Sequence, residues 1–258
     1  MSNKYENSLG VRFLTQPPNH NATSSNFGKY SYKHSYRAYE LFPKSKMSVQ
    51  PPDVRETYID IAGMDGELDL SEVLTGYPTY DNRDAKFEFT VIDRNRWDYV
   101  YSRLMNEIHG RKMYVVLEDD SNYYYTGRLK VNSFKSKKNT ATIVVDGYFD
   151  PYKVMVGATS EQWLWDPFNF ETDIARDYLD LVVDGSTTYT IIGSRMPVRP
   201  KFKASTSGMT VSISGNVYPV ATSDYLTPNN FPVLRDNAYE MAFSGNGTVS
   251  VKFDIGSL

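Results

Sequence analysis

The side chains that most often carry catalysis or bind metals are cysteine, histidine, clustered carboxylates and an activated serine. The 258 residues include no cysteine, which excludes a thiolate nucleophile, a disulfide and a zinc–thiolate site. The three histidines, His20, His34 and His109, lie far apart, and none has a second ligand at a metal-binding spacing. We expect His109, next to Gly110, to end a helix. No nucleophile motif of the G-x-S-x-G type is present.

Two acidic runs remain as candidates for a cation site or for acid–base chemistry. Asp65–Glu72 resembles a calcium loop, but Leu70 occupies the sixth position, where glycine is required, and Gly76 occupies the twelfth. Glu118–Asp120 could bind a cation or supply a carboxylate pair, although adjacent acids in a hairpin turn are usually just solvated. A glycosidase or peptidoglycan hydrolase would need a more convincing pair. The sequence therefore predicts no catalytic residue, no metal and no cofactor, and the chain is not expected to be an enzyme.

Composition restricts the class of protein further. The net charge of −3 gives no bulk attraction to nucleic acid. No apolar run approaches the roughly 20 residues of a membrane helix, and the amino terminus lacks the apolar core of a signal peptide. The 21 tyrosines, with frequent Thr, Val and Phe, favour β-strands. We expect a soluble, mainly β protein.

Three strands and a helix are predicted between residues 56 and 109. Tyr58–Ile61 and Glu67–Leu70 alternate apolar and acidic residues, the period of a half-buried strand. Lys86–Ile92 places two phenylalanines on one face, and we expect the three strands to share one sheet with an acidic, solvated face. Residues 94–109 then repeat apolar side chains at helical spacing, which predicts an amphipathic helix packed over the phenylalanine face. A strand at Lys112–Leu117 follows.

A hairpin with a basic tip is predicted at Tyr123–Tyr148, and Pro151 ends the first half of the chain. We place the domain boundary between residues 154 and 162, giving an N-terminal domain at 1–155 and a C-terminal domain at 156–258. Short strands separated by turn residues predict an antiparallel sandwich in the second half. The predicted turns lie at Asp184–Gly185, Ser214–Gly215 and Gly245–Gly247. The predicted strands are 179–183, 187–192, 201–206, 210–213, 216–220, 238–243 and 248–253.

Aromatic side chains of the second half allow two interpretations. Trp163, Trp165, Phe168 and Tyr225 could stack on sugar rings, or they could cover the sandwich and the seam between domains. A sugar site built around a tryptophan generally needs a polar cluster that includes histidine and arginine. The second half has no histidine and its arginines are scattered.

Several short motifs, taken in order, resemble the distal tail proteins of siphophage-type bacteriophages. The resemblance covers the chain from about residue 56 to its end. The matching segments are Ile61–Gly66, Leu68–Ser71, Tyr80–Arg83, Phe87–Ile92, Asn106–Lys112, Tyr123–Arg128, Asp150–Lys153, Gly245–Phe253 and Gly256–Leu258.

This resemblance implies a fold, an assembly and a place in the virion. It implies an N-terminal β domain with one packed helix and a protruding hairpin, followed by a C-terminal galectin-like β-sandwich. Six N-terminal domains would close into a hexameric ring at the tail tip, which joins the tail tube to the tail-associated hub protein. The C-terminal domains could anchor receptor-binding proteins. The chain would be made in the host cytoplasm, with no specific nucleic acid partner and no membrane insertion.

We expect two segments to build subunit contacts in such a ring. One is Arg37–Pro52. The other is the hairpin, with Tyr123, Tyr125, Phe134, Lys135, Lys137 and Lys138 as its contact residues. The alternative function is a carbohydrate-binding module that attaches to the host surface through the C-terminal sandwich.

Overall fold

The computed structural model describes residues 10–18, 32–137, 140–157 and 177–258. The chain divides into two compact units, one formed by Met1–Lys153 with Leu258 and the other by Val154–Ser257. Antiparallel strands dominate both units. The mainly β fold expected from composition is confirmed.

The first unit contains a large antiparallel sheet and a separate strand pair. The sheet runs in the order β2-β1-β7-β8-β9-β6-β3, and β4 pairs with β5. The strands of the first unit are β1 (Val11–Leu14), β2 (Tyr32–His34), β3 (Phe42–Pro43), β4 (Tyr58–Asp60), β5 (Glu67–Asp69), β6 (Arg83–Val91), β7 (Lys112–Leu117), β8 (Tyr123–Ser136) and β9 (Ala141–Phe149). Its helices are α1 (Ser35–Tyr39) and α2 (Trp97–Glu107), with single 3-10 turns at Arg94–Arg96 and Glu118–Asp120.

Helix α2 packs against β6 because apolar residues alternate along β6 and recur at helical spacing along α2, which gives each element one apolar face. Alternate residues of β6, including Phe87 and Phe89, are fully buried, and they share one core cluster with Val100 and Leu104 of α2. The indole Nε1 of Trp97 donates to the carbonyl of the last β6 residue at 3.0 Å, which holds the start of the helix against the strand. The predicted amphipathic helix is confirmed. No helix in the described ranges is both long and apolar enough to cross a membrane.

The expectation that β4 and β5 share a sheet with β6 is wrong. Tyr58–Asp60 pairs with Glu67–Asp69 alone, and every residue of both strands is exposed. Alternation of apolar and acidic residues correctly predicted strands. It could not show that their own unit provides no surface to cover the apolar side chains.

The second unit is built on two long paired strands. The sheet order is β11-β15-β13-β14, with β12 also pairing along β15, while β10 pairs with β16. The core consists of aromatic and aliphatic side chains from β11, β12, β13 and β15 and from the segments that connect the strands, among them Phe202, Met241 and Phe243. The strands are β10 (Lys153–Met155), β11 (Leu181–Ile192), β12 (Lys201–Ala204), β13 (Thr210–Ile213), β14 (Asn216–Pro219), β15 (Ala238–Lys252) and β16 (Gly256–Ser257).

Two of the three predicted turns in the second unit are wrong. β11 runs without interruption through Gly185, and β15 runs through Gly245–Gly247; Gly185 lies directly opposite Gly245 in the ladder. The glycines adopt positive φ in both strands, a conformation that other residues rarely adopt, and the pairing continues past them without a register shift. The turn at Ser214–Gly215 is confirmed, and it joins β13 to β14.

Candidate functional site

Residues 53–81 form an arm, with its two ends joined at the first unit. Val54 pairs with Tyr80 in an isolated β-bridge, and the Arg55 Nε donates to the Asp81 Oδ1 at 2.5 Å. Beyond this base the chain extends as the β4–β5 hairpin and returns through a turn-rich stretch. The arm is therefore one hairpin held by its base.

Apolar side chains are exposed along the whole arm. No residue from 53 to 81 is buried, and Leu74 and Val73 have 98% and 68% of their surface accessible. Half of the large apolar residues that are exposed in the described part of the chain belong to this arm. They are Val54, Tyr58, Ile59, Ile61, Met64, Leu68, Val73 and Leu74. An isolated two-stranded hairpin is marginally stable in water, so these side chains indicate a missing covering surface.

The arm is also strongly acidic. Residues 56–76 contain six aspartates or glutamates and no lysine or arginine. The carboxylates of Glu56 and Asp69 raise the pKa of Tyr58 above its ordinary value. Asp69 itself accepts hydrogen bonds from the Ser71 Oγ and backbone N–H, which lower its pKa and fix the turn after β5. A surface that covers the arm has to offer apolar area together with cations.

Two aromatic residues predicted as hairpin contacts pack within their own unit. The ring of Phe134 lies 6.2 Å from that of Trp97 and 5.4 Å from that of Tyr101, which anchors the hairpin to α2. Tyr125 is buried, with its ring 5.7 Å from that of Phe149. Both side chains therefore stabilise the fold of the first unit, whatever else the hairpin contacts.

The remaining predicted hairpin residues differ in exposure. Tyr123 lies under the Lys153 ammonium, 4.3 Å from nitrogen to ring centroid. Lys135 and Lys137 are exposed at the distal end of the hairpin. Lys138 lies outside the described residues. A subunit contact by this hairpin stays a prediction, and among the described residues its exposed lysines are best placed to make one.

The acidic run at Glu118–Asp120 is not the solvated turn that the sequence suggested. The Arg12 Nε donates to the Glu118 Oε1 at 2.5 Å, and the His34 Nε2 lies 3.3 Å from the same oxygen. Only 14% of the Glu118 side chain is exposed. One carboxylate thus joins β1, the start of α1 and the end of β7.

The two following acids pair with lysines from other segments. Asp119 lies 3.1 Å from the Lys46 ammonium, and the Lys153 ammonium donates to Asp120 at 2.8 Å. Each acid of the run is therefore matched by a cation that is distant in sequence. This arrangement fixes the fold around the end of β7, and the sequence offered no signal for it because the partners are spread from residue 12 to residue 153.

Two glutamates of the first unit have strongly lowered pKa values. Burial alone would raise the pKa of Glu118, but hydrogen bonds from His34 and Arg12 outweigh it and hold the pKa at about 2. Burial also acts against Glu107, whose contacts with Lys33, Tyr39 and Arg103 bring its pKa to about 2. Both groups are ionised at neutral pH, so neither can serve as a general acid.

These lowered pKa values predict a loss of stability in acid. A carboxyl whose pKa falls from 4.5 to about 2 on folding stabilises the native state above pH 4.5, and the contribution disappears as the pH falls towards 2. We expect Glu118 to account for about 2–3 kcal/mol of this loss and the more exposed Glu107 for less. Urea unfolding at pH 6, 4 and 3 measures it. A free energy of unfolding that stays constant down to pH 3 would contradict the expectation.

The described histidines have structural roles. The His34 Nδ1 accepts from the backbone N–H groups of Tyr36 and Arg37, which caps α1. His109 follows the end of α2, and its Nδ1 accepts from the backbone N–H of Val131 at 3.1 Å. His20 lies outside the described residues. In the described ranges no group of three or more histidine and acidic side chains is arranged to hold a metal ion.

The aromatic residues considered for sugar stacking are only partly described. Trp163, Trp165 and Phe168 lie outside the described residues, and Tyr225 is half-buried. Two ammonium groups lie near the Tyr225 ring: the Lys252 Nζ at 4.2 Å and the Lys203 Nζ at 5.7 Å from its centroid. Tyr225 is therefore part of a cationic surface.

Comparison with known proteins finds similarity to a solved structure and no match in sequence. No family model matches the chain, and no curated protein is similar to it in sequence. The chain is similar to the crystal structure of the Dit protein (gp 19.1) of phage SPP1, described as a paradigm of the hub adsorption apparatus in phages that infect Gram-positive hosts. The TM-score is 0.45 and the identity 14%, over 84% of this chain and 92% of that one. A likeness of this strength does not establish the family.

Proposed function

We propose that this chain is a structural subunit of a bacteriophage tail tip, which assembles with copies of itself through the arm. The observation that carries the proposal is the arm, a well-defined hairpin with no residue buried and eight large apolar side chains exposed. The order of sequence motifs from residue 56 onwards, which resembles distal tail proteins, supports the tail-tip assignment.

The negative charge of the arm limits the ways in which it can contact another copy of the chain. An arm-to-arm contact across a two-fold axis would bring six acidic residues against the same six in the partner, without any lysine or arginine in the stretch to compensate. The arm is therefore expected to contact a different, cationic surface of the next copy. Such a heterologous contact generates a closed ring when its rotation permits, and an open filament otherwise.

A suitable surface exists at the distal end of the β8–β9 hairpin, and we call it the receiving face. Val91 and Ser136 both pair with Ala141, so the chain leaves β6 at the same end of the sheet where β8 reaches the hairpin tip. The exposed side chains at this end combine apolar area with positive charge. The side chains that supply these two properties are Ile92, Arg94, Lys135 and Lys137. Asp93, between the first two, accepts from the Asn95 N–H as a helix cap.

The finer parts of the proposal come from the resemblance to distal tail proteins. The ring is proposed to be a hexamer of the N-terminal domain, residues 1–155, with a central opening at the tail tip. It would join the tail tube to the tail-associated hub protein. The C-terminal domain, residues 156–258, is proposed to be a galectin-like sandwich that anchors receptor-binding proteins. The role is structural, with no chemical step.

The experiment that tests the proposal is a measurement of mass and symmetry on the purified chain. We expect light scattering over a concentration series to give a discrete oligomer well above the 29.5 kDa monomer, with six copies as the predicted number. Negative-stain electron microscopy should then show rings with a central opening. A monomer at every concentration up to the millimolar range would contradict self-assembly through the arm. A two-fold dimer would contradict the heterologous contact.

A further inference from the structure

A cleft on the second unit has the character of an anion-binding site. Its volume is about 400 Å³, within the range of small-molecule sites. Three of its lining residues are cations and one is an acid. The lining includes Met196, Arg199, Lys201, Tyr225, Lys252 and Asp254.

The positive charges are held close together by strand pairing. Lys201 of β12 lies directly opposite Lys252 of β15 in the antiparallel register. Lys203 is two residues further along β12, so it lies on the same face of the strand as Lys201. Like charges directly opposite each other in a ladder destabilise it. A cluster of this kind works against the fold unless an anion binds to it.

No carboxylate of the described residues forms an ion pair with a cation of the cluster, which consists of Arg199, Lys201, Lys203 and Lys252. Asp254 lines the cleft as the single acid against these cations. The cluster also stands out against a chain whose net charge is −3.

An aromatic ring is fixed beside the cations by the backbone. Phe202 and Leu226 exchange both backbone hydrogen bonds, at 2.9 and 3.1 Å, in an antiparallel bridge. This bridge brings Tyr225 opposite Lys203, and the ammonium groups of Lys203 and Lys252 both lie near its ring, 5.7 and 4.2 Å from the centroid. The cleft therefore combines ammonium and guanidinium groups with an aromatic ring of defined position.

We propose that this cleft binds a phosphate-bearing sugar or polyol, free or as a unit of an anionic glycopolymer. Lysine and arginine bind phosphate oxygens through charge-assisted hydrogen bonds, and the Tyr225 ring adds apolar contact area for the C–H surface of a sugar or polyol. A single-stranded nucleic acid is the other polyphosphate to consider. It is disfavoured because its binding relies on several aromatic rings along an extended groove, and this cleft offers one half-exposed ring. The site does not depend on the arm or on ring formation.

Titration of the full chain with defined probes tests this proposal. The probes are poly(glycerol phosphate), neutral polyglycerol of the same length, glucose 1-phosphate, inorganic phosphate and oligo(dT), each measured by calorimetry at low ionic strength. We expect poly(glycerol phosphate) and glucose 1-phosphate to bind, and polyglycerol not to bind. The Lys201→Gln/Lys252→Gln variant should weaken binding about tenfold or more. Added salt should weaken binding in the wild type as well.

A matched variant controls for the loss of two positive charges. Lys112→Gln/Lys130→Gln removes two exposed strand lysines from the first unit, and binding should change by less than about twofold. The proposal is overturned if the two double variants bind equally, if no phosphate-bearing probe binds, or if inorganic phosphate alone binds. Equal or tighter binding of oligo(dT), lost in Lys201→Gln/Lys252→Gln, would assign the cleft to nucleic acid instead.

Thermal unfolding separates loss of a ligand site from loss of fold. Because Lys201 and Lys252 repel each other across the ladder, their replacement by glutamine should raise the unfolding temperature by about 1–3 °C without ligand. A variant that is more stable and yet binds less well has lost a binding site. A variant that unfolds at a clearly lower temperature would show that the two lysines stabilise the strand pair, which would overturn the argument from repulsion.

Discussion

Replacing Val73 and Leu74 together by aspartate is expected to convert the assembled protein into monomers. These two side chains have 68% and 98% of their surface exposed, so aspartate at either position removes no packing within the chain. In a covered arm each would contribute about 1.5–3 kcal/mol of apolar burial. Losing both lowers the affinity of each contact by roughly two to four orders of magnitude, and two further charges in an acidic arm add to the loss.

Light scattering at matched concentration measures the effect, and the second unit supplies its control. Val182 and Val217 have 64% and 66% of their surface exposed, so Val182→Asp/Val217→Asp makes the same change in charge at two equally accessible valines. We expect this control to assemble as the wild type does. If both double variants dissociate equally, the effect belongs to net charge and the arm is not the interface. If neither dissociates, the arm contacts nothing in the oligomer.

The receiving face can be tested by exchanging charges across the contact. Lys135→Glu/Lys137→Glu places acids where the arm needs cations, and it should weaken assembly without affecting the Phe134 anchor of the hairpin. Adding Glu67→Lys/Glu72→Lys on the arm should restore assembly, because the charges of the pair are then reversed together. Restoration identifies the partner surfaces. Weakening without restoration would place the arm against another region.

Local periodicity predicted those parts of the fold that a neighbouring segment completes. Alternating phenylalanines in β6 and the helical stripe of α2 are adjacent in sequence, and each buries the apolar face of the other. The β8–β9 hairpin was predictable for the same reason, since its two strands follow each other directly. These predictions needed no knowledge of distant residues.

The errors arose where the outcome depends on residues far away in the sequence. Tyr58–Asp60 has the pattern of a half-buried strand, yet the surface that would cover it is missing from its own unit. Gly185 and Gly245 look like turn residues because glycine ends many strands. They face each other in the ladder, and the two long strands stay paired through them. The residue pattern of a segment predicts its local conformation. Which surface the segment then packs against depends on the rest of the fold.

Glu118 is the clearest case of a residue whose role depends on partners far away in the sequence. Its replacement by glutamine is expected to destabilise the first unit by about 2–3 kcal/mol. The substitution keeps the shape of the side chain and removes the charge that both Arg12 and His34 share. Since only 14% of the side chain is exposed, solvent cannot replace that charge effectively. Urea unfolding at pH 7 should show an earlier midpoint with an unchanged dependence on urea concentration.

The neighbouring acid provides the control, because Asp119 pairs with a Lys46 side chain that is 74% exposed. Asp119→Asn should cost no more than about 0.5–1 kcal/mol, the range of surface ion pairs. The difference between the two variants should shrink as the pH falls from 4.5 towards 2, because wild-type Glu118 becomes protonated over that range. If both substitutions change the free energy of unfolding at pH 7 by the same small amount, the acidic run is a solvated turn, as its sequence suggests. A large difference that fades in acid would show that burial, rather than the number of adjacent carboxylates, gives this run its role.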